Sequence, residues 1–282
     1  MVERRPLLQA AAHLVLILGV LIVAFPVWLA IVASTHPQEA FQTGLIPVWP
    51  GSHAVENYSA MLGQGLSNLG APPLGGMLWN SLVMALVIAC GKIAISITSA
   101  FAIVYFRFRF RMLAFWCIFI TLMLPVEVRI LPTFKVAADL RMLNSYAGLT
   151  IPLIASATAT FLFRQVFLTI PDELMEAARI DGAGPMRFFT DILIPLSRTN
   201  IAALFVILFI YGWNQYLWPL LITTDEGYYT IVAGIKRMAE AVDAIPVWNY
   251  VMAAAVLAML PPVAVVILMQ RVFVKGLIET EK

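Results

Sequence analysis

The amino-acid sequence describes an all-α, polytopic membrane protein with six transmembrane helices, and three observations carry that reading. Of the 282 residues, 61% are hydrophobic and only 12% charged. A soluble domain carries about 25% charged and about 45–50% apolar residues, so the excess calls for lipid as a second apolar solvent. Six apolar runs, at 13–34, 80–106, 112–131, 146–168, 200–222 and 248–270, are each near the length of about 20 residues that a span needs. Finally, lysine and arginine gather on alternate connections.

Each run is read as a helix because backbone polar groups cannot stay open in hydrocarbon. A β-barrel would alternate in pieces of about 10 residues, and these runs are continuous. The first run follows Arg4 and Arg5, as a signal peptide would. A signal's apolar stretch is about 7–15 residues, so this longer run is read as an uncleaved anchor. With the N-terminus inside, the cytoplasmic side receives Arg107, Arg109, Arg111, Arg164, Arg179, Arg187, Arg198, Arg271, Lys275 and Lys282. The outer loop 35–79 has no lysine or arginine, which places both termini on the cytoplasmic side of the membrane. That loop is rich in glycine and proline (Gly65 and Gly70 among them), which predicts ordered loop and short helix rather than a domain. A single domain over 1–282 follows.

Cys90 and Cys117 lie in apolar runs and are read as buried thiols. His13, His36 and His53 have no partner at ligand spacing, so no metal is expected. The basic residues flank spans and report topology rather than a nucleic-acid partner.

The connection 170–196 is built of helix punctuation. Pro171 suits a first helical position with Thr169 as a cap, and Asp172 and Glu173 complement a helix N-terminus. Gly182 is a natural stop, Pro185 a second start and Pro195 a second end. Two short helices result. Leu174, Ala177 and Ala178 share a face of the first; Phe188, Phe189, Ile192 and Leu193 share one of the second. Both faces need a cover, either the protein's own spans and the lipid surface or a cytoplasmic partner.

Glu176, Ala177, Ala178, Asp181, Gly182 and Ala183, followed by Phe189, Ile192, Pro195 and Leu196, resemble the EAA loop of binding-protein-dependent ABC importers. That resemblance implies coupling helices seated in a cleft of each ATPase, with Glu176 meeting a basic group and Gly182 making the bend. The segment 213–220, with Asn80-Ser81-Leu82 and Arg107-Phe108-Arg109-Phe110, is similar to the maltose-type sugar permeases. Segments 119–130 and 145–150, with the two chain ends, look closest to the sn-glycerol-3-phosphate branch of that group. The implied assembly has a second, different permease forming a heterodimer with this one, two ATPase copies and an external substrate-binding protein. The chain has no Gly-x-x-x-x-Gly-Lys-Ser/Thr phosphate loop. No cofactor is therefore expected on it, ATP and Mg belonging to the ATPase, and it is not expected to be an enzyme. A neutral sugar or oligosaccharide as cargo is the alternative, followed by a secondary transporter, although discontinuous helices and repeats typical of that class are not evident.

Charges at membrane depth mark candidates for the substrate path. Lys92 sits near the centre of the second run, where a lysine costs about 2.5–3.5 kcal/mol. It either pairs with a carboxylate or carbonyls of a neighbouring helix or faces an anion in the path. Glu127 and Arg129, two residues apart, do not share a helix face. Asn214 and Gln215 either bond between helices or line the path. Trp213, Tyr216 and Trp218 are read as interface anchors unless they too line it.

Overall fold

The computed structural model describes residues 6–42, 44, 46–63, 72–240 and 246–280, with the backbone alone for 6, 7 and 271–280. Arg4, Arg5, Gly65, Gly70 and Lys282, and the side chains of Arg271 and Lys275, lie outside that description.

The described chain is helical, without strands. Helix α1 (Pro6–Ala33) is followed by α2 (Ala54–Gly63), α3 (Leu74–Tyr105), α4 (Arg111–Ile120), α5 (Val126–Asp139), α6 (Tyr146–Thr150) and α7 (Ala157–Leu168). The connection of interest holds α8 (Asp172–Ile180), α9 (Pro185–Phe188), a π-helical turn (Phe189–Leu193) and α10 (Ile194–Leu196). Then come α11 (Arg198–Trp213), α12 (Leu217–Ile222), α13 (Ile231–Ala239) and α14 (Trp248–Thr280). Three stretches, Leu8–Ala33, Leu74–Tyr105 and Trp248–Gln270, cross-membrane in length and apolarity, are unbroken. The outer loop is ordered loop and short helix in its described part, as expected.

The other spans are broken, which corrects the continuous runs expected over 112–131, 146–168 and 200–222. The chain turns by 107° between the segments Arg111–Met123 and Val126–Asp139, and by 48° between Tyr146–Leu153 and Ala157–Leu168. It turns by 73° between Pro185–Leu196 and Arg198–Trp213. Pro125, with ψ 146, ends one helical run and caps the next. At Asn214–Tyr216 the span opens again before α12. Average apolarity is blind to such breaks, because the residues on either side remain lipid-compatible.

The chain divides into two compact units, residues 1–75 with 234–260 and residues 76–233 with 261–282. In the first, Asn57 donates to the carbonyls of Ser34 (2.8 Å) and His36 (2.9 Å) and accepts from Asn249 (3.0 Å). One buried amide thus ties the end of α1 to α2 and α14. In the second, Met84 and Ile88 of α3, Ile130 and Ala137 of α5, Leu149 of α6 and Trp218 and Ile222 of α12 form a common core. Asn80 donates to the carbonyls of Gly227 (2.8 Å) and Tyr229 (3.0 Å) and accepts from the Tyr146 hydroxyl (2.7 Å). Ser81 Oγ accepts from the Ile231 amide at 2.7 Å. The start of α3 is thereby pinned to the segment after α12, at the end of the unit opposite Tyr105.

Cys90 and Cys117 are both exposed on the chain, against the expectation of buried thiols. An apolar run does not say which of its faces meets lipid. Trp213 and Trp218 are 2% and 3% exposed, so they pack inside rather than anchor at an interface.

Gly148 is the tightest approach in this core. Trp218 Nε1 donates to its carbonyl at 3.0 Å, and a Cβ there would lie 2.0 Å from the Met142 carbonyl oxygen. Gly148→Ala is therefore expected to lower stability by about 1–3 kcal/mol, as overpacking does. Gly75→Ala, with open space at its Cβ, should cost nothing. Thermal unfolding of the two variants in detergent checks the contrast.

Candidate functional site

The connection between α7 and α11 folds as two short helices, as its punctuation predicts. Helix α8 begins at Asp172 with Pro171 as its N-cap residue, one position earlier than the first helical position expected for it. Thr169 does not cap it; its hydroxyl donates to the Val166 carbonyl at 2.7 Å. Asp172 and Glu173 occupy the first turn. Gly182 stands at φ +74°, its amide bonded to the Arg179 carbonyl (3.0 Å) and the Ala183 amide to the Ala178 carbonyl (2.8 Å). These are the paired bonds of a Schellman ending, which requires the left-handed conformation that glycine adopts without strain. Gly182 therefore sets the angle between α8 and α9. Pro185 starts α9, but Pro195 does not end the second helix, which continues to Leu196. A π-helical turn over Phe189–Leu193 precedes that proline and absorbs its missing donor.

The second helix lies on the chain's own spans. Phe188, Phe189 and Leu193 are 5%, 6% and 0% exposed. The Phe189 ring lies tilted by 34° against Phe101 with centroids 4.7 Å apart, and Phe188 meets Tyr105 edge-on at 5.2 Å. The Tyr105 hydroxyl donates to the Phe167 carbonyl at 3.3 Å. The last two turns of α3 thus hold α7, α9 and the π turn together. Phe189 and Ala178 (4% exposed) face inward, which corrects their expected place on a partner-facing surface. The face expected from Leu174, Ala177 and Ala178 is split. Ala178 packs inside, whereas Leu174, Glu176, Ala177, Asp181 and Gly182 are exposed, with Ile180 at 86% and Met186 at 67%; Ala183 is half-buried.

The cationic candidates lie elsewhere in the same unit. Lys92 is 7% exposed, and its ammonium sits 3.8 Å from the centre of the Tyr211 ring. The aromatic face, rather than a carboxylate, accepts it. Arg129 stands in the first turn of α5, just after the 107° bend. Arg129 and Gln215 line one small cavity of about 60 Å³ with Thr133 and Trp218. Gln215 also donates to the Tyr211 carbonyl at 3.1 Å, satisfying the open end of α11. The structure thus brings Lys92 and Gln215 to Tyr211, and Arg129 and Gln215 to one cavity. Asn214 is exposed and outside that cavity's lining.

Tyr211 and Tyr105 are the positions at these candidate sites that sequence reasoning missed. Each looked like one more aromatic in an apolar run, and its partner is far away in sequence.

This is the architecture of an integral-membrane transport subunit, in which broken spans surround buried polar groups and an amphipathic loop rides on one span's end. A family model for the binding-protein-dependent transport system inner membrane component matches residues 92–279, and the chain belongs to that family. It is similar to the sn-glycerol-3-phosphate transport system permease protein UgpE of Brucella melitensis biotype 1, at 61% identity over 282 residues and 100% of both chains. The protein of that name from Escherichia coli O157:H7 is 58% identical, again over 100% of both. A solved bacterial ABC transporter involved in the import of the acidic polysaccharide alginate shares the fold, with a TM-score of 0.81 at 19% identity. That match covers 96% of this chain and 98% of the other. The chain is accordingly a multi-pass inner-membrane permease subunit and not an enzyme. Such a subunit works with a partner permease, an ATPase and a substrate-binding protein.

Removing the aromatic anchor tests the loop's attachment. Phe189→Ala should cost about 3–5 kcal/mol of local packing. In the purified complex, amide hydrogen exchange over 172–196 should rise while the first half of α3 keeps its protection.

Proposed function

We propose that this subunit forms half of the translocation path for sn-glycerol 3-phosphate and transmits ATPase motion to that path through the loop around Glu176. The observation that carries the cargo is Lys92, buried against Tyr211 with no carboxylate partner among the described residues, together with a second cation, Arg129, that lines a small cavity beside Gln215. Cations in a low-dielectric site favour a phosphate strongly, and a neutral amide suits hydroxyls and phosphate oxygens. The relatives named for sn-glycerol-3-phosphate transport support the same cargo. A neutral sugar would leave the two charges without an anion.

The coupling reading rests on the loop's two faces. Phe188 and Phe189 fasten it to α3, while Glu176, Ala177, Asp181 and Gly182 stay open to a partner. The ATPase closes on that outer face, and the loop and α3 move as one body, alternating access to the path. ATP and Mg bind the ATPase, of which two copies serve this subunit and its different permease partner. The termini lie in the cytoplasm. The loop and the end of α3 share one side, and the Asn80 end with the 224–230 segment shares the other, which agrees with the charge bias of the connections.

Two variants test this reading. Lys92→Met keeps length and removes charge. In vesicles holding the complete complex, uptake of labelled sn-glycerol 3-phosphate should fall roughly ten- to a hundredfold, the worth of one charge-assisted hydrogen bond. Unchanged affinity and rate would remove Lys92 from the path, and faster uptake of labelled maltose by the wild type would remove the cargo assignment. Glu176→Lys should weaken copurification of the ATPase in detergent. Full copurification with lost transport would instead make Glu176 a transmission residue rather than a docking one.

A further inference from the structure

A second cavity, of about 760 Å³, opens behind the loop and takes no part in the function proposed above. Its walls are the end of α3, the end of α7 and the inward sides of α8 and α9, including Phe101, Phe167 and Phe188. Arg107, Arg111 and Arg179 line it against a single acid, Asp172, an excess of two positive charges. Among the described residues, none of the three arginines forms an ion pair. Guanidinium groups gathered around an open cleft without carboxylate partners call for an anion from outside the chain, and their planar fork matches phosphate oxygens.

The position of the cleft narrows the source. Arg107 and Arg111 flank the short connection that follows α3, where the apolar run ends. Phe106, Phe108 and Phe110 on that connection are 42%, 43% and 60% exposed, as aromatic residues at a membrane surface are. Apolar side chains and arginines lining one cleft where an apolar helix ends suit an amphiphile with a phosphate head. Basic pockets at the cytoplasmic ends of membrane helices hold anionic headgroups in this way.

We infer that the cleft lined by Arg107, Arg111 and Arg179 binds a phosphate-bearing anion, supplied by the headgroup of an anionic membrane phospholipid. Bound there, the phosphate neutralises the arginines and braces α8 against the end of α3. The site lies apart from Lys92 and Arg129, and it stands or falls separately from the transport path.

The experiment uses the complete complex in nanodiscs of phosphatidylcholine alone or mixed with phosphatidylglycerol, with retained lipid read by native mass spectrometry. Wild type should retain phosphatidylglycerol in preference to phosphatidylcholine, and the double variant Arg107→Gln/Arg111→Gln should hold it about tenfold more weakly. Arg107→Lys/Arg111→Lys should recover part of that retention. In phosphatidylcholine nanodiscs, inorganic phosphate is titrated as the second arm. Phosphate binding lost in the glutamine variant, without lipid preference, supports the cleft as a phosphate site but assigns free phosphate as its source. Equal lipid retention and equal phosphate binding in wild type and variant overturn the inference. So does loss of ATPase copurification in the glutamine variant with lipid retention unchanged, which makes the cleft a protein contact. Should the glutamine variant fail to assemble, wild type decides alone, since absence of both lipid preference and phosphate binding also overturns the inference.

Discussion

The packing of Phe188 and Phe189 onto the last turns of α3 is the interaction on which the account depends. A four-residue helix and a π turn have no stability of their own, because nucleating a helix is costly and short helices are marginal. Their shape is borrowed from Phe101 and Tyr105, whose rings they meet. The Schellman ending at Gly182 then fixes α8 relative to that anchored element. Each step is local, and together they make an exposed surface rigidly continuous with a membrane span. A loop attached less firmly would bind a partner but would dissipate its motion.

The broken spans express the complementary constraint. Lipid offers no hydrogen bonds, so every interruption of a helix must be repaired by groups of the chain itself. Gln215 repairs the end of α11, and Trp218 bonds to the carbonyl of Gly148 on α6. These repairs place polar groups at membrane depth as a by-product of folding. Lys92 enters the same region and rests on Tyr211, a partner that lowers the cost of burial without neutralising its charge. A carboxylate in that place would have quenched the positive field. The retained charge is what the proposed phosphate path rests on.

Much of this was legible in the sequence, for physical reasons that differ by element. The spans were legible because lipid contact enforces sustained apolarity, and α1, α3 and α14 follow directly. The bend at Gly182 was legible because a positive φ is a one-residue property. The turn at Pro125 was not, since apolarity continues through it and proline is tolerated within membrane helices. Nor was the inward direction of Phe189: periodicity identifies an apolar face without saying whose surface covers it. Tyr211 was hidden for the related reason that its contact with Lys92 joins helices distant in sequence. Cys90 and Cys117 show the same limit, because a membrane helix is apolar on its lipid face as well as in its core.

The central claim is that the loop and α3 move as one body. Spin labels on Ile180→Cys, at 86% exposure, and Ile95→Cys on α3, at 40%, report on it directly. Cys90 and Cys117, both exposed, are first replaced by serine. Pulsed electron–electron distance measurement then compares the complete complex at rest and with ATP bound. Rigid attachment predicts the same mean distance and the same width in both states. A shift of the mean beyond the width of the resting distribution would show the loop moving independently of the span and would contradict the account.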